Sequence, residues 1–308
     1  MQQPGDRQVP KGTIEERLER APALLLDGAL GTELERRGCP TGLPLWSTQG
    51  LLEAPELVSE IHGDYARAGA DVLTANTFRT QRRTLERGSP PGERLGERDQ
   101  ELTRRAVELA RAGAAGAKRR VWIAGSAPPL EDCYRPERVP DDRALEREHA
   151  VHMENLAHAS GDLILIETMN SLAEAAVASR MARRVGLPYW VSFTSWSSAR
   201  LLSGERLQGA LERVLDHGPL AVLVNCLPAS AVAPCLPILR GSGIPFGVYT
   251  NLGEPTEEGG FRSKGAHGAA DFAAHTRRWI DAGAKIIGGC CGTTPEHIRA
   301  ADGVRREP

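Results

Sequence analysis

Eight short apolar segments separated by helix-like stretches are the feature that most constrains the fold of this 308-residue chain. Each segment is a nearly continuous run of apolar, often β-branched residues, which is typical of a parallel strand buried on both faces. The intervals between them are too long for hairpins, so we expect helices to connect the strands. The alternation predicts an α/β fold, a (β/α)8 TIM barrel in a single domain. The segments cover residues 24–29, 70–78, 120–126, 162–169, 188–195, 220–226, 245–251 and 284–291.

The stretches between the strands have helical composition, rich in Ala, Leu, Glu and Arg. An open doubly wound sheet is the alternative, but it usually carries a phosphate-binding glycine fingerprint after its first strand, and GALGTEL fits that spacing poorly. We divide the chain into a flexible N-terminal segment (1–20), the barrel (21–303) and a tail (304–308). The predicted helices are 55–69, 98–115, 143–159, 171–185, 205–217, 229–240 and 268–282.

Composition excludes several classes of partner. The chain has 38 Lys and Arg against 40 Asp and Glu. It therefore lacks the excess of positive charge that is typical of proteins that bind nucleic acid or a membrane surface. No apolar run approaches the ~18–20 residues of a membrane-spanning helix, and the first twenty residues are polar. We therefore expect a cytoplasmic protein, a monomer or small homo-oligomer, that acts on small molecules. Residues 79–97 are unusually rich in arginine, and no motif assigns them a role.

Three of the six cysteines lie at predicted carboxyl ends of strands, where a parallel barrel gathers its chemistry. Cys226 ends the sixth strand, and the vicinal pair Cys290 and Cys291 ends the eighth. Only one strand separates the sixth from the eighth, so the three sulfurs can converge on one ion. Three soft thiolates favour Zn2+ and leave its fourth tetrahedral position open. The alternatives are a buried core residue for Cys226 and a redox role for the vicinal pair.

Such a zinc site would lower the pKa of a bound thiol and present it as a thiolate at neutral pH. Because three thiolates already satisfy the Lewis acidity of the ion, the site favours alkylation of a thiol over hydrolysis. The three cysteines are therefore the candidate catalytic residues as well as the candidate metal ligands.

Candidate substrate contacts come from the other strand ends. Asp27 and Glu167 each follow an apolar run and can hold an ammonium group, although each can also cap the helix that follows. Trp46 in the first loop can pack against a sulfonium cation, or it can pin the loop to the barrel rim. The remaining polar candidates are Asn76, Thr77, Ser192 and Asn251.

Several segments resemble the homocysteine S-methyltransferase family. The C-terminal signature of the family is similar to GAKIIGGCCGTTPEHI (283–298), and its upstream zinc-cysteine motif is similar to VNC (224–226). The resemblance runs in order along most of the chain. Its other blocks are residues 24–38, 44–47, 69–78, 166–175 and 192–194.

This resemblance implies a (β/α)8 barrel, Zn2+ bound by Cys226, Cys290 and Cys291, and homocysteine as methyl acceptor. It places Asp27 and Glu167 near the amino group of homocysteine. It places Asn251 beside the metal, in the fourth position when substrate is absent. The PLWS segment is most similar to stand-alone, cobalamin-independent members that use S-methylmethionine or S-adenosylmethionine.

We therefore expect a zinc-dependent methyltransferase that moves a methyl group from a sulfonium donor to homocysteine thiolate and gives methionine. Two alternatives stay open. The acceptor can be another small thiol or a selenol such as selenohomocysteine, or the barrel can be a non-catalytic zinc or redox sensor.

Overall fold

We describe a computed structural model of the chain over residues 12–196, 198–255, 261–263 and 268–306. Eight of its strands form one parallel sheet in the order β1-β10-β7-β6-β5-β4-β3-β2, and a parallel bridge between Leu26 and Val72 joins the two ends. The predicted (β/α)8 barrel is confirmed. The strands are β1 (Leu24–Leu25), β2 (Val72–Ala75), β3 (Trp122–Ala127), β4 (Leu163–Met169), β5 (Tyr189–Phe193), β6 (Ala221–Pro228), β7 (Phe246–Asn251), the antiparallel pair β8 (Gly253–Pro255) and β9 (Phe261–Ser263), and β10 (Ile286–Gly289).

Helices connect the strands and cover the outside of the barrel. They are α1 (Ile14–Arg20), α2 (Gly31–Arg36), α3 (Thr48–Glu53), α4 (Pro55–Ala68), α5 (Arg82–Arg87), α6 (Asp99–Ala114), α7 (Asp142–His158), α8 (Leu172–Val185), α9 (Leu207–Leu215), α10 (Leu236–Gly241), α11 (Ala269–Asp281) and α12 (Pro295–Arg306). Within the described ranges, none of these helices is long and apolar enough to cross a bilayer.

One predicted helix is divided in two. The stretch 229–240 forms a 3-10 turn at Ala229–Ala231 and then α10. Pro234 lies between them, and proline lacks the N–H that a continuous helix would need. The other predicted helices agree with the observed ones to within a few residues.

Alternate residues of each strand fill the interior of the barrel. Leu163 and Leu165 of β4 belong to the inner cluster, whereas Ile164 and Ile166 pack outwards beneath the helices. Because the side-chain period of a strand is two, each inner row continues to the carboxyl end of its strand. The inner rows of β3, β4 and β6 therefore run on to Ser126, Glu167 and Asn225.

The N-terminal helix closes the other end of the barrel. Thr13 accepts a hydrogen bond from the Glu16 N–H at 3.3 Å and caps α1. Ile14 and Leu18 are 3% and 4% exposed and pack against the inner cluster. The flexible segment predicted for residues 1–20 is therefore wrong over 14–20, where two apolar residues one turn apart are buried, and residues 1–11 lie outside the described residues. The predicted tail also starts too early, because α12 continues to Arg306.

Candidate active site

A cavity of about 750 Å3 opens at the carboxyl ends of the barrel strands. Most of the predicted site residues line it, namely Asp27, Trp46, Asn76, Glu167, Cys226, Cys290 and Cys291. Three predicted residues are not among its lining residues: Thr77, Ser192 and Asn251. One wall of the cavity comes from the loops after β1, β2 and β3, and the other from the ends of β4, β6, β7 and β10.

The sulfurs of Cys226, Cys290 and Cys291 all lie within 4.8 Å of one another. Cys226 and Cys290 are paired as a disulfide with their Cα atoms 5.7 Å apart, and Cys291 is a free thiol. Burial raises the pKa of the Cys291 thiol to about 12, so this thiol stays protonated at neutral pH unless a cation stabilises its anion. Three convergent sulfurs are a soft donor set that fits a four-coordinate transition-metal ion with one open position.

A bulge at the end of β6 directs Cys226 into the cavity. The pairing of β6 with β7 shifts register between Asn225 and Pro228, and Cys226 has a left-handed backbone with φ of +52°. The indole N–H of Trp196 donates to the Cys226 carbonyl at 3.0 Å. Without the bulge, alternation would point Cys226 outwards, because Asn225 faces inwards. Bulges of this kind commonly re-aim side chains at functional sites.

The turn after β10 is held by Thr293. Its hydroxyl donates to the Cys290 carbonyl at 2.7 Å and accepts from the Ala29 N–H at 3.1 Å. The Cys290 N–H donates to the Thr250 carbonyl at 2.8 Å, so the turn is tied to β7 as well as to the loop after β1. Gly292 turns the chain with φ of +84°.

Both predicted carboxylates are buried beside this cavity. Asp27 accepts hydrogen bonds from the N–H and the hydroxyl of Thr74, at 2.8 and 2.9 Å. Glu167 accepts from the Ser126 hydroxyl at 2.5 Å and the Tyr249 hydroxyl at 3.2 Å. Burial raises the pKa of Asp27 to about 8 and that of Glu167 to about 7. Both groups are thus poised to gain charge when a cation arrives.

Asn225 connects the ends of β4 and β6. Its carboxamide oxygen accepts from the Thr168 N–H at 2.9 Å, and its amide nitrogen donates to the Thr168 hydroxyl at 2.8 Å. Thr168 has a φ of +60°, and the β4–β5 pairing shifts register between Ile166 and Met169. Asn225 therefore joins the bulge that follows Glu167 to the bulge that carries Cys226.

Trp46 and Phe78 form an aromatic wall of the cavity. The Trp46 ring packs over Gly31, where a Cβ atom would overlap the indole. It also meets the Phe78 ring edge-to-face at 5.8 Å. Asn76 donates its amide hydrogen to the Ser47 carbonyl at 2.7 Å, and its carboxamide oxygen is buried without a partner.

Two of the three predicted residues outside the cavity lining form hydrogen bonds elsewhere in the barrel. The Thr77 hydroxyl donates to the Ser126 carbonyl at 2.8 Å, and the Ser192 hydroxyl donates to the Asn225 carboxamide oxygen at 2.6 Å. Asn251 is buried, and among the described residues neither of its carboxamide atoms has a hydrogen-bond partner. The next residue, Leu252, donates its N–H to the Cys291 carbonyl at 2.9 Å.

Several further residues of the site were not predicted as substrate contacts or metal ligands. Ser126, Asn225 and Tyr249 lie on inner rows of their strands, so the period-two pattern was a signal that could have found them. Cys133 and Tyr134 come from the long loop after β3, where no local pattern pointed to the cavity. Burial raises the pKa of the Cys133 thiol to about 12.

Known proteins of one family are similar to this chain in sequence and in fold. The family model "Homocysteine S-methyltransferase" matches residues 24–303. The chain is 32% identical to homocysteine S-methyltransferase YbgG of Bacillus subtilis (strain 168), over 93% of this chain and 95% of that protein. It is 34% identical to homocysteine S-methyltransferase of Escherichia coli (strain K12), over 92% and 95%. It is also 30% identical to selenocysteine Se-methyltransferase of Brassica oleracea var. italica, over 90% and 87%.

A solved structure agrees with these relatives. The homocysteine methyltransferase MmuM from Escherichia coli, in its metallated form, matches with a TM-score of 0.78 and 30% identity, over 94% of this chain and 98% of that chain. The chain belongs to the homocysteine S-methyltransferase family.

Proposed function

We propose that this chain transfers a methyl group from a sulfonium donor, S-methylmethionine or S-adenosylmethionine, to the thiolate of homocysteine and so produces methionine. The observation that carries the proposal is the convergence of three cysteine sulfurs and two buried carboxylates on one cavity. Membership of the family supports homocysteine as the acceptor.

We propose Zn2+ as the ion that Cys226, Cys290 and Cys291 hold in their reduced state. Tetrahedral zinc with Zn–S bonds of about 2.3 Å keeps its sulfurs about 3.8 Å apart, so sulfurs within 4.8 Å of one another can reach this arrangement once the Cys226–Cys290 disulfide is reduced. Bound zinc would lower the pKa of the homocysteine thiol and supply it as a thiolate at neutral pH. The metallated relative supports a resident metal. The unpartnered carboxamide of Asn251 supports its assignment to the fourth position when substrate is absent.

We assign the ammonium group of homocysteine to Glu167 and Asp27. A carboxylate offers about four acceptor sites, and each of these two carboxylates uses two of them in contacts with the described residues. An ammonium group brings three donors, and its positive charge would favour the ionised form of both acids. Ser126 and Tyr249 hold Glu167 in place for this contact.

We assign the donor to the aromatic wall. A sulfonium cation against Trp46 would gain roughly 0.5–2 kcal/mol from cation–π attraction. The unpartnered carboxamide oxygen of Asn76 can accept a hydrogen bond from the same substrate. Thr77 and Ser192 contribute indirectly, because their hydrogen bonds hold Ser126 and Asn225.

The transfer is an in-line displacement. A lone pair of the acceptor sulfur forms a bond to the donor methyl carbon while the carbon–sulfonium bond breaks, and that electron pair stays on the donor sulfur. The donor leaves as a neutral thioether, and the acceptor becomes methionine. The thiol proton passes to solvent when homocysteine binds. The cavity walls must bring carbon and sulfur to ~3–3.5 Å.

A selenol acceptor is the second candidate. The relative named selenocysteine Se-methyltransferase, 30% identical to this chain, favours it. A selenol is more acidic than a thiol, so the same site would accept it without a change of mechanism. Competition between homocysteine and selenocysteine in one assay would rank the two acceptors.

Methionine formation tests the proposal directly. Reduced, zinc-loaded protein would be incubated with homocysteine and, separately, S-methylmethionine, S-adenosylmethionine, betaine or methyltetrahydrofolate. We expect methionine from a sulfonium donor and none from the other two. No methionine from either sulfonium, together with ready oxidation of the vicinal cysteines, would instead support the sensor.

The matched variants are Cys290→Ala and Cys39→Ala. Cys290 lines the cavity, whereas Cys39 is buried elsewhere. We expect Cys290→Ala to lose zinc and activity together with unchanged circular dichroism, and Cys39→Ala to keep both. Zinc-dependent methylation by the Cys290→Ala protein would overturn the assignment of the metal ligands.

A further inference from the structure

Arg79 is a buried cation in the wall of the cavity. Its side chain lines the cavity, the residue is 8% exposed, and its Nε is buried without a hydrogen-bond partner. Within the described part of the chain, no carboxylate oxygen lies within 4.0 Å of its guanidinium nitrogens. The guanidinium carbon lies 5.3 Å from the centre of the Phe78 ring. An arginine in this position has a fixed charge and unused donors.

The other arginines of the segment 79–97 are different. Each of these other arginines forms an ion pair with an acidic residue outside the cavity, so its charge is already balanced. The pairs are Arg82 with Asp99 at 3.3 Å, Arg83 with Glu131 at 2.8 Å and Glu148 at 2.7 Å, Arg87 with Glu131, and Arg94 with Glu97 at 3.0 Å. The Arg-rich segment therefore contributes one unbalanced charge to the site.

The topology places this charge opposite part of the metal centre. Arg79 follows β2, and Cys226 lies at the end of β6, four places away in the eight-stranded order. In a closed barrel of eight strands, four places is the opposite wall. Cys226 thus follows the strand opposite the one that precedes Arg79, and the guanidinium of Arg79 lies over the Phe78 ring, which contacts Trp46.

A buried cation without a counter-ion is costly unless a ligand supplies the opposite charge. The planar guanidinium matches a carboxylate through two parallel hydrogen bonds. We propose that Arg79 binds the carboxylate of the methyl donor and so selects sulfonium amino acids, an inference that rests on the proposed function.

Position in the cavity distinguishes the donor from the acceptor, because both molecules carry an ammonium and a carboxylate on one carbon. In S-methylmethionine the sulfonium lies at one end and the carboxylate at the other. The sulfonium end faces the acceptor thiolate, and the carboxylate end then points towards Arg79. In the proposed function Glu167 and Asp27 hold the amino-acid end of homocysteine, so Arg79 is left for the carboxylate of the donor.

The test compares two donors that differ only in the carboxylate. They are S-methylmethionine and its decarboxylated analogue, 3-(dimethylsulfonio)propylamine. We expect Arg79→Gln to raise the KM for S-methylmethionine by roughly 10- to 100-fold and to leave the KM for homocysteine and the kcat/KM of the analogue unchanged. Arg79→Lys should retain part of the effect, because it keeps the charge but not the planar fork.

Arg82→Gln is the matched control. It removes an arginine three residues further along, whose partner is Asp99 outside the cavity. This variant should have the same KM and kcat/KM as the wild-type protein with both donors. An equal loss with both donors for Arg79→Gln, or a raised KM for homocysteine alone, would overturn the assignment to the donor carboxylate.

Equilibrium binding separates this inference from the proposed function. Calorimetric titration of zinc-loaded protein with S-methylmethionine, without homocysteine, should show binding that Arg79→Gln weakens roughly tenfold or more at equal zinc content. If the wild-type protein binds S-methylmethionine but forms no methionine, the proposed function fails. The difference in affinity between the wild type and Arg79→Gln then still tests whether Arg79 binds the donor. If the variant binds as tightly as the wild type, or the wild type does not bind, the inference fails.

Discussion

Single side chains in this cavity owe their chemistry to the loss of water around them. Asp27 and Glu167 are 4% and 7% exposed, and burial raises the pKa of both. Each is nevertheless held by hydroxyl or amide donors, so its position is set before substrate arrives. A carboxyl group in this state responds strongly to a cation and weakly to a neutral ligand.

Glu167→Gln is expected to weaken acceptor binding. The amide keeps the shape but loses the charge that attracts the ammonium of homocysteine, so the KM for homocysteine should rise about 10- to 100-fold. Zinc content should not change. Steady-state kinetics with each substrate varied in turn would measure this.

Glu131→Gln is the control for that variant. Glu131 is also a buried acid, but it pairs with Arg83 and Arg87 outside the cavity. Its replacement should leave both KM values unchanged. A rise in the donor KM for Glu167→Gln, with homocysteine unaffected, would contradict the assigned role.

At the scale of elements, two bulges and one asparagine build the site. The bulges after Ile166 and Asn225 break the regular ladders of β4 and β6, and left-handed backbones at Thr168 and Cys226 are held within them. Such conformations persist only where surrounding contacts determine them. The Asn225 side chain supplies those contacts, since it satisfies both the N–H and the hydroxyl of Thr168.

Asn225→Ala should therefore damage stability and metal binding together. It leaves buried polar groups of Thr168 without partners, at about 1–3 kcal/mol each, and it frees the bulge that carries Cys226. We expect lower zinc affinity by competition with a chromophoric chelator and a lower midpoint of urea unfolding. Ser192→Ala removes only one bond to Asn225 and should have a smaller effect. Unchanged zinc affinity in Asn225→Ala would contradict this account.

Gly288 shows how closely β10 approaches β1. A Cβ atom there would lie 2.6 Å from the Leu26 Cβ, which is far inside contact distance. We expect Gly288→Ala to lower the free energy of unfolding by about 1–3 kcal/mol, as overpacking does. Gly303→Ala in α12 is the matched control, because nothing lies within 4 Å of its added methyl group. That helical substitution should be neutral or stabilising by up to about 1 kcal/mol. Chemical denaturation of both variants would compare them.

At the scale of the whole molecule, buried histidines make stability depend on pH. Burial lowers the pKa of His62 and His152 to about 4 from 6.5. Above pH 6.5 neither state binds the extra proton. Between pH 6.5 and 4 these histidines are protonated in the unfolded chain but stay neutral in the native state. The free energy of unfolding therefore falls as pH falls. Each group accounts for about 3 kcal/mol at the lower end.

His62→Met should remove the contribution of His62 to the pH dependence of the free energy of unfolding. Neither ring nitrogen of His62 has a hydrogen-bond partner, so the substitution loses no bond. In urea unfolding measured from pH 7.5 to 4.5, the free energy of unfolding of the variant should rise relative to that of the wild type as pH falls. His158→Met, at an exposed position, should show no such gain. Parallel pH curves for His62→Met and wild type would refute the burial argument.

The barrel was predictable from local patterns. A buried parallel strand leaves an apolar run in the sequence wherever it occurs, so the eight strands and their polar ends could be recognised one at a time. The strand order of a barrel then brings Cys226 near Cys290 and Cys291. Period-two alternation also determines which residues, such as Ser126 and Tyr249, face the interior.

Tertiary structure alone decided the rest, because those features depend on contacts between distant segments. The bulge that turns Cys226 into the cavity exists through Asn225 and Thr168, which are 57 residues apart. The helix α1 forms a closed end only because the barrel offers Ile14 and Leu18 an apolar floor. Arg79 is one of five arginines in its segment, and only the closed barrel leaves it buried in the cavity wall, without an acidic partner among the described residues. A sequence records the preferences of each segment, whereas the burial and charge balance of a side chain are properties of everything that surrounds it.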